Sequence, residues 1–198
     1  RSTQGSTLFP YTTLFRSKYG FEVAKTWDEL IEQAKAMTVI ENGVMTQKGF
    51  DFANWDGVTY LFLSMILSQG GQYLNEDGTQ VNFMTDEART AFQAMTDLVL
   101  KDKVTNTEVL TDTSAMEGYM ALFSGKVAYV PRGPWVISDG ITTFGLEYGV
   151  DFDYVAMPWF GSKPGFAAET GWAAAVNNNS PNKEAAFKFL EYLYRDDV

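Results

Sequence analysis

The side chains best suited to chemistry in this chain are aromatic, and several stand beside glycine and proline rather than within helical or strand periodicity. Phe123–Trp135 reads FSGKVAYVPRGPW. Gly125 is a helix stop, because glycine accepts the left-handed conformation that closes a last turn. Val127–Val130 is a short β-prone run, and Pro131-Arg132-Gly133-Pro134 forbids continuation of strand or helix. Trp135 therefore falls just past a strand end, on a turn where Gly133 admits close approach of a ligand. Loops at strand ends are where α/β folds keep their binding groups. Other candidates share this setting: Trp55 and Asp56 lie in the loop before an apolar helix, Tyr60 begins that helix, and Trp172 follows Gly171. Arg132 offers a planar fork that suits hydroxyls or a carboxylate, or a structural ion pair with one of the chain's acids. Asp56 serves equally as a contact for hydroxyls or as a helix cap.

What the chain lacks narrows the chemistry further. It contains no histidine and no cysteine. That removes Ser-His relays, thiol nucleophiles, disulfide frameworks and the commonest metal ligands. No metal or organic cofactor is expected. The balance of 25 acidic against 15 basic residues, a net charge of −10, disfavours nucleic acid and anionic membrane surfaces as partners. No apolar run approaches the roughly 18 residues needed to cross a bilayer. Asp139, Glu147, Asp151 and Asp153 offer carboxylates for a glycoside hydrolase, which needs two of them about 5–10 Å apart, but no motif holds a pair.

The elements that must carry these residues are legible from caps and periodicity. Thr26-Trp27-Asp28-Glu29 is a capping box, followed by Leu30, Ile31, Ala34 and Met37 at helical spacing. Asn42-Gly43 marks a turn, and a strand is expected over 49–52. Tyr60–Gln69 is almost wholly apolar and stops at Gly70-Gly71, as a buried helix would. Thr85 caps a helix whose predicted buried face is Ala88, Ala91, Phe92, Met95, Leu98 and Val99. Ser114-x-x-Glu117 reads as a second capping box, for a helix carrying Met116, Tyr119, Met120 and Phe123. Strands are expected over 152–157 and 172–176, and Ser180-Pro181 places a cap and a first-turn proline before a helix over 184–194. The alternation of strands with capped helices indicates an α/β fold.

Three blocks of this pattern resemble one family in the right order. The run ending GlyProTrp at Gly133–Trp135, the pair Gly171–Val176 and Asn179–Leu190, and Lys25–Leu30 are similar to signatures of the solute-binding proteins of ABC importers. Within that family they resemble the carbohydrate-binding, maltodextrin-binding-like group. The proline that usually precedes the third block is absent, Ala24 standing there instead. The resemblance implies a periplasmic-binding-protein-like (type II) fold in which two lobes close on a sugar. It implies a non-catalytic, monomeric protein that hands its ligand to membrane permease subunits. Its location would be periplasmic or extracellular, with a lipid anchor at the membrane's outer face as one form. A sugar has flat C–H faces and a rim of hydroxyls, so aromatic plates with planar polar groups suit it. On this reading Trp135 is the principal plate, with Tyr60, Trp172, Trp55, Asp56, Gly133 and Arg132 as further ligand contacts. Polyamine or anion binding on the same fold is the neighbouring alternative.

The resemblance also divides the chain. Residues 18–169 would form most of the second lobe, and residues 170–198 a crossing strand and helix of an incomplete first lobe. The apolar face of that last helix (Ala186, Phe187, Leu190, Leu193) is expected to be unusually exposed. Thr7–Ser17, TLFPYTTLFRS, resembles an in-frame translation of a common sequencing adapter, so residues 1–17 are expected to lie outside the fold.

Overall fold

The structure is a computed structural model that describes residues 8–12, 18–54, 57–112, 114–162 and 174–195. The chain divides into two units, Arg1–Ala168 and Glu169–Val198.

In the first unit a five-stranded sheet runs in the order β2-β3-β4-β1-β5. The strands are β1 (Leu8–Thr12), β2 (Val39–Glu41), β3 (Val44–Phe50), β4 (Val127–Tyr129) and β5 (Phe152–Ala156). β2 and β3 form a hairpin closed by Asn42 and Gly43, whose φ values of 52° and 81° are those of a tight turn matched to strand twist. β3 begins earlier than the expected 49–52 segment, because the hairpin supplies β2 as a partner for its first half, and it ends at Phe50. β3 and β4 are parallel, with Lys48 opposite Val127 and Phe50 opposite Tyr129. β1 pairs antiparallel with both β4 and β5. Leu8–Thr12 thus departs from the expectation that residues 1–17 stay outside the fold. Any extended, β-prone backbone can fill a slot between two strands with open edges, and LFPYT is such a segment apart from Pro10, which has no N–H to give.

The helices of this unit are α1 (Trp27–Met37), α2 (Gly57–Ser68), α3 (Asp86–Leu100), α4 (Glu108–Thr111), α5 (Gly118–Phe123) and α6 (Val136–Thr142). α1 starts at the expected capping box: Glu29 N–H donates to the Thr26 hydroxyl at 3.3 Å, and the Glu29 carboxylate accepts from Thr26 N–H. α3 is capped by Thr85, whose hydroxyl accepts from Ala88 N–H at 3.2 Å. Ala88, Ala91 and Leu98 are buried as expected, and Met95 and Val99 partly so. Phe92 is 67% exposed, so the buried stripe is narrower than the sequence suggests.

Two apolar clusters flank β4. One gathers Leu30, Ala34 and Met37 of α1, Leu61, Met65 and Ile66 of α2, and Leu98 of α3 around Phe50, Ala128 and Tyr129. The other joins Leu122, Phe123, Val127, Val130, Val136, Phe152 and Tyr154. β4 is therefore covered on both faces, as the central strand of an α/β sheet must be.

The second unit contains α7 (Lys183–Leu193). None of its residues is buried; of the face expected to be exposed, Phe187 and Leu193 are 56% and 48% exposed, while Ala186 and Leu190 are half-buried, and Phe189 outside that face is 60% exposed. Pro181 lies outside the helix, since the cap position is Asn182 and Ser180 instead accepts a hydrogen bond from Asn182 N–H. Ala174–Val176 forms no strand. A strand needs a neighbour, and the sheet given for the described residues contains no partner for this run.

Candidate functional site

β3 and β4 point the same way, so the loops leaving their C-terminal ends emerge side by side. Asp51 N–H donates to the Tyr129 carbonyl at 2.9 Å, carrying the pairing one residue past β3. The chain then runs through Phe52 and Asn54 to α2, while the other loop runs from Val130 to α6. Gly118, the first residue of α5, is held between them: a Cβ there would stand 2.8 Å from Val130 Cγ2 and 2.9 Å from the Phe52 carbonyl oxygen.

The helix before β4 ends as the sequence predicts. Gly125 has φ +72°, and Gly125 and Lys126 N–H donate back to the Leu122 and Ala121 carbonyls, a Schellman closure. Its beginning differs. Ser114 gives both its N–H and its hydroxyl to Asp112, so no capping box forms with Glu117. The Glu117 carboxylate is ion-paired with Arg132 instead.

Arg132 is 8% exposed. Besides Glu117, its guanidinium donates to the Asn54 side-chain oxygen and lies over the Tyr119 ring, 5.7 Å from the centroid. Its backbone carbonyl accepts from the Tyr154 hydroxyl at 2.7 Å. Burial, with the nearby Tyr148 phenol second, holds the Tyr154 phenol well above its ordinary pKa, so it stays a donor. Of the two readings open to this arginine, its geometry matches the structural ion pair.

Beyond Arg132, Gly133 and Pro134 turn the chain into α6. Trp135 sits at the cap position of that helix and is 51% exposed. A Cβ built at Gly133 would collide with the six-membered ring of the Trp135 indole. The close approach that Gly133 permits is thus made by the tryptophan. α6 is fixed beneath by Val136 and by Gly140, where a Cβ would stand 2.7 Å from Phe152 Cζ. A half-exposed indole on a rigidly packed base can stack on a flat apolar face.

Tyr60 lies in the first turn of α2 and is partly buried. Asn54 and Gly57 border the segment that contains Trp55 and Asp56, and these two residues fall outside those described. Trp172 also falls outside them, so the structure neither joins it to Trp135 nor separates it. Trp159 is 49% exposed, and its backbone exchanges hydrogen bonds with Lys25 and Trp27 at 2.8 and 2.9 Å, which makes it an anchor for the start of α1. The supporting residues Asn54, Glu117, Tyr119 and Tyr154 carry no signal in the sequence beyond the expectation that a buried arginine finds an acid.

Three of the carboxylates considered for hydrolysis, those of Asp139, Asp151 and Asp153, accept hydrogen bonds. Asp151 accepts from Glu147 N–H at 2.8 Å, and Asp153 from Tyr154 N–H at 2.8 Å. Burial first, then the Asp139 carboxylate to which it is hydrogen-bonded, raises the Tyr119 phenol's pKa. Among the described residues no group of three or more acidic side chains is arranged to hold a metal ion. A groove of about 790 Å³ lies between α1 and α3, lined in part by Ile31, Lys35, Ala94 and Asp97, and Trp135 is not part of it.

Residues 3–198 match the model of the family described as bacterial extracellular solute-binding protein. The chain belongs to that family. It is 28% identical over 202 residues to the lactose-binding protein of Rhizobium radiobacter, covering 98% of this chain and 44% of that protein. Among solved structures it resembles an ABC transporter solute-binding protein from Thermotoga lettingae bound with α-D-tagatose, at 25% identity and TM-score 0.74, covering 96% and 48% of the two chains. It also resembles the maltose/maltodextrin-binding domain MalE of Bdellovibrio bacteriovorus bound to maltotriose, at 25% identity and TM-score 0.70, covering 96% and 49%. The fold is therefore the periplasmic-binding-protein-like one, and the chain spans a little under half the length of these relatives. No helix among the described residues is long and apolar enough to cross a membrane.

Proposed function

We propose that this chain is about half of the binding component of an ABC sugar importer, and that Trp135 stacks on a face of the bound sugar. The observation that carries this reading is the half-exposed indole seated on Gly133 at the C-terminal end of the parallel β3–β4 pair. The relatives add chemistry of the same class, since their names and bound ligands are sugars. Tyr60, and Trp55, Asp56 and Trp172 from segments not described, are the further contacts on this reading. Residues 18–169 then form most of one lobe, and residues 170–198 cross to the other.

The protein binds without breaking bonds. Its ligand is held between lobes that close by hinge motion, and the closed form is handed to the permease. It acts as a monomer, in the periplasm or at the outer face of the membrane with a lipid anchor. The test is Trp135→Ala in the full-length, two-lobed protein, titrated calorimetrically against a panel of mono- and oligosaccharides. Kd is expected to rise more than tenfold with the melting temperature little changed. A matching loss of folding would make the indole a packing residue, and turnover of any oligosaccharide would make the protein a hydrolase.

A further inference from the structure

The guanidinium of Arg132 stands where the two loops of the candidate site meet. On its own loop it is three residues before Trp135, and its backbone is fixed by Tyr154 at 2.7 Å. On the other loop it holds the Asn54 side chain, and a Cβ at Gly57 would come within 3.3 Å of its Nη1, so the first residue of α2 closes directly on it. Glu117, at the head of α5, neutralises the charge from a third direction. A planar fork of donors holds several acceptors at fixed angles, which a lysine ammonium cannot reproduce.

We propose that Arg132 is a positioning residue that locks the Trp135 loop to the N-terminus of α2, so that Trp135 and Tyr60 are set relative to each other. It does this from beneath and never touches the ligand. The role rests on the sugar-binding reading of Trp135 and Tyr60, but the lock itself exists without a ligand and can be measured without one.

The chain has five tryptophans. Labelled with 5-fluorotryptophan, the 198-residue protein gives fluorine resonances in which Trp135→Phe and Trp27→Phe assign the loop indole and a core reference. Arg132→Lys, which keeps the charge and loses the fork, and the near-isosteric Glu117→Gln are expected to shift or broaden the Trp135 resonance. The Trp27 resonance, from a side chain 7% exposed in the other cluster, is expected to stay in place. Asn54→Ala, which removes only the link to the α2 loop, should give a smaller shift in the same direction. A Trp135 resonance unchanged in the folded Glu117→Gln and Asn54→Ala variants would overturn the proposal, even if Arg132→Lys fails to fold. So would Trp27 and Trp135 moving together, which is the mark of general loosening.

A second arm uses maltotriose, or whichever panel sugar binds best, with the full-length protein. Glu117→Gln should raise Kd about fivefold in the parent and less than about twofold when Trp135 is already alanine, since coupled residues are not additive. Equal effects in both backgrounds would overturn the coupling to binding. If Trp135→Ala leaves sugar affinity unchanged while the fluorine shifts occur, the sugar reading fails and the lock stands.

Discussion

A methyl group at position 133 would occupy the space taken by the benzo ring of Trp135. Gly133→Ala is therefore expected to push the indole off its seat without touching the apolar clusters. In the full-length protein it should weaken sugar binding by about tenfold, close to the effect of Trp135→Ala and worth about 1.4 kcal/mol. Titration calorimetry beside a thermal melt checks this, and binding equal to the parent would show that the seat is irrelevant to the ligand. The same residue shows how far a sequence reaches at this scale. A glycine before a proline states that something comes close, but not what; here it is the tryptophan two residues on. Arg132 is similar: its type announces a need for acceptors, while Glu117 and Asn54 are brought to it only by the fold. The exposure of Trp135 was legible because Pro131, Gly133 and Pro134 end the strand before it, and it stands half-exposed at the cap of α6.

At the scale of elements, local signals succeed where both partners lie within one turn and fail where a distant side chain competes. The Thr26 box and the Thr85 cap form as read, and Gly125 stops α5, because each needs only partners within about five residues along the chain. The Ser114–Glu117 box does not form, since Arg132 claims the glutamate and Asp112 claims the serine. The first half of β3 is not legible because its polar residues Thr46 and Gln47 gain order through the hairpin, whereas Lys48 pairs with Val127 of β4. The end of β3 also carries a buried acid. Asp51 is 1% exposed and accepts hydrogen bonds from Lys48, Thr105 and Phe52 N–H. Burial raises its pKa above 3.8, and the Lys48 charge offsets this only in part. The folded chain thus binds this proton more tightly than the unfolded one. Asp51 favours folding below about pH 3.8, and that contribution fades as pH rises through the raised value. The melting-temperature advantage of the parent over Asp51→Asn is expected to shrink from acidic to neutral pH, followed by calorimetric melts between pH 3 and 7. An advantage that grows with pH would mean that the Lys48 pairing outweighs burial.

For the molecule as a whole, the chain spans a little under half the length of its relatives, and α7 is its least packed helix. An 11-residue helix with no buried side chain has little to hold it. The ion pair it carries among the described residues, Glu184 with Lys188 at 2.9 Å, lies in water and is worth about a few tenths of a kcal/mol. Isolated helices shorter than about 12–15 residues are marginal in water, and tertiary packing supplies most helical stability in proteins. Phe187, Phe189, Leu193 and Tyr194 nonetheless leave apolar side chains in water, of the kind a partner covers. On the two-lobe reading that partner belongs to the half of the protein outside this sequence, and sugar affinity should be weak for the same reason, since half the cleft is missing. Hydrogen exchange read by mass spectrometry separates the possibilities. In the 198-residue chain, amides over 183–193 are expected to exchange at least a hundredfold faster than those of α1 and α3, which sit on the main apolar cluster. In the full-length protein the same amides should become protected to a similar degree as α1, and sugar should bind at least tenfold more tightly than to the chain alone. Protection of α7 equal to that of α1 in the short chain would mean that its stability comes from within these 198 residues, and the missing half would no longer be needed to explain that exposed face.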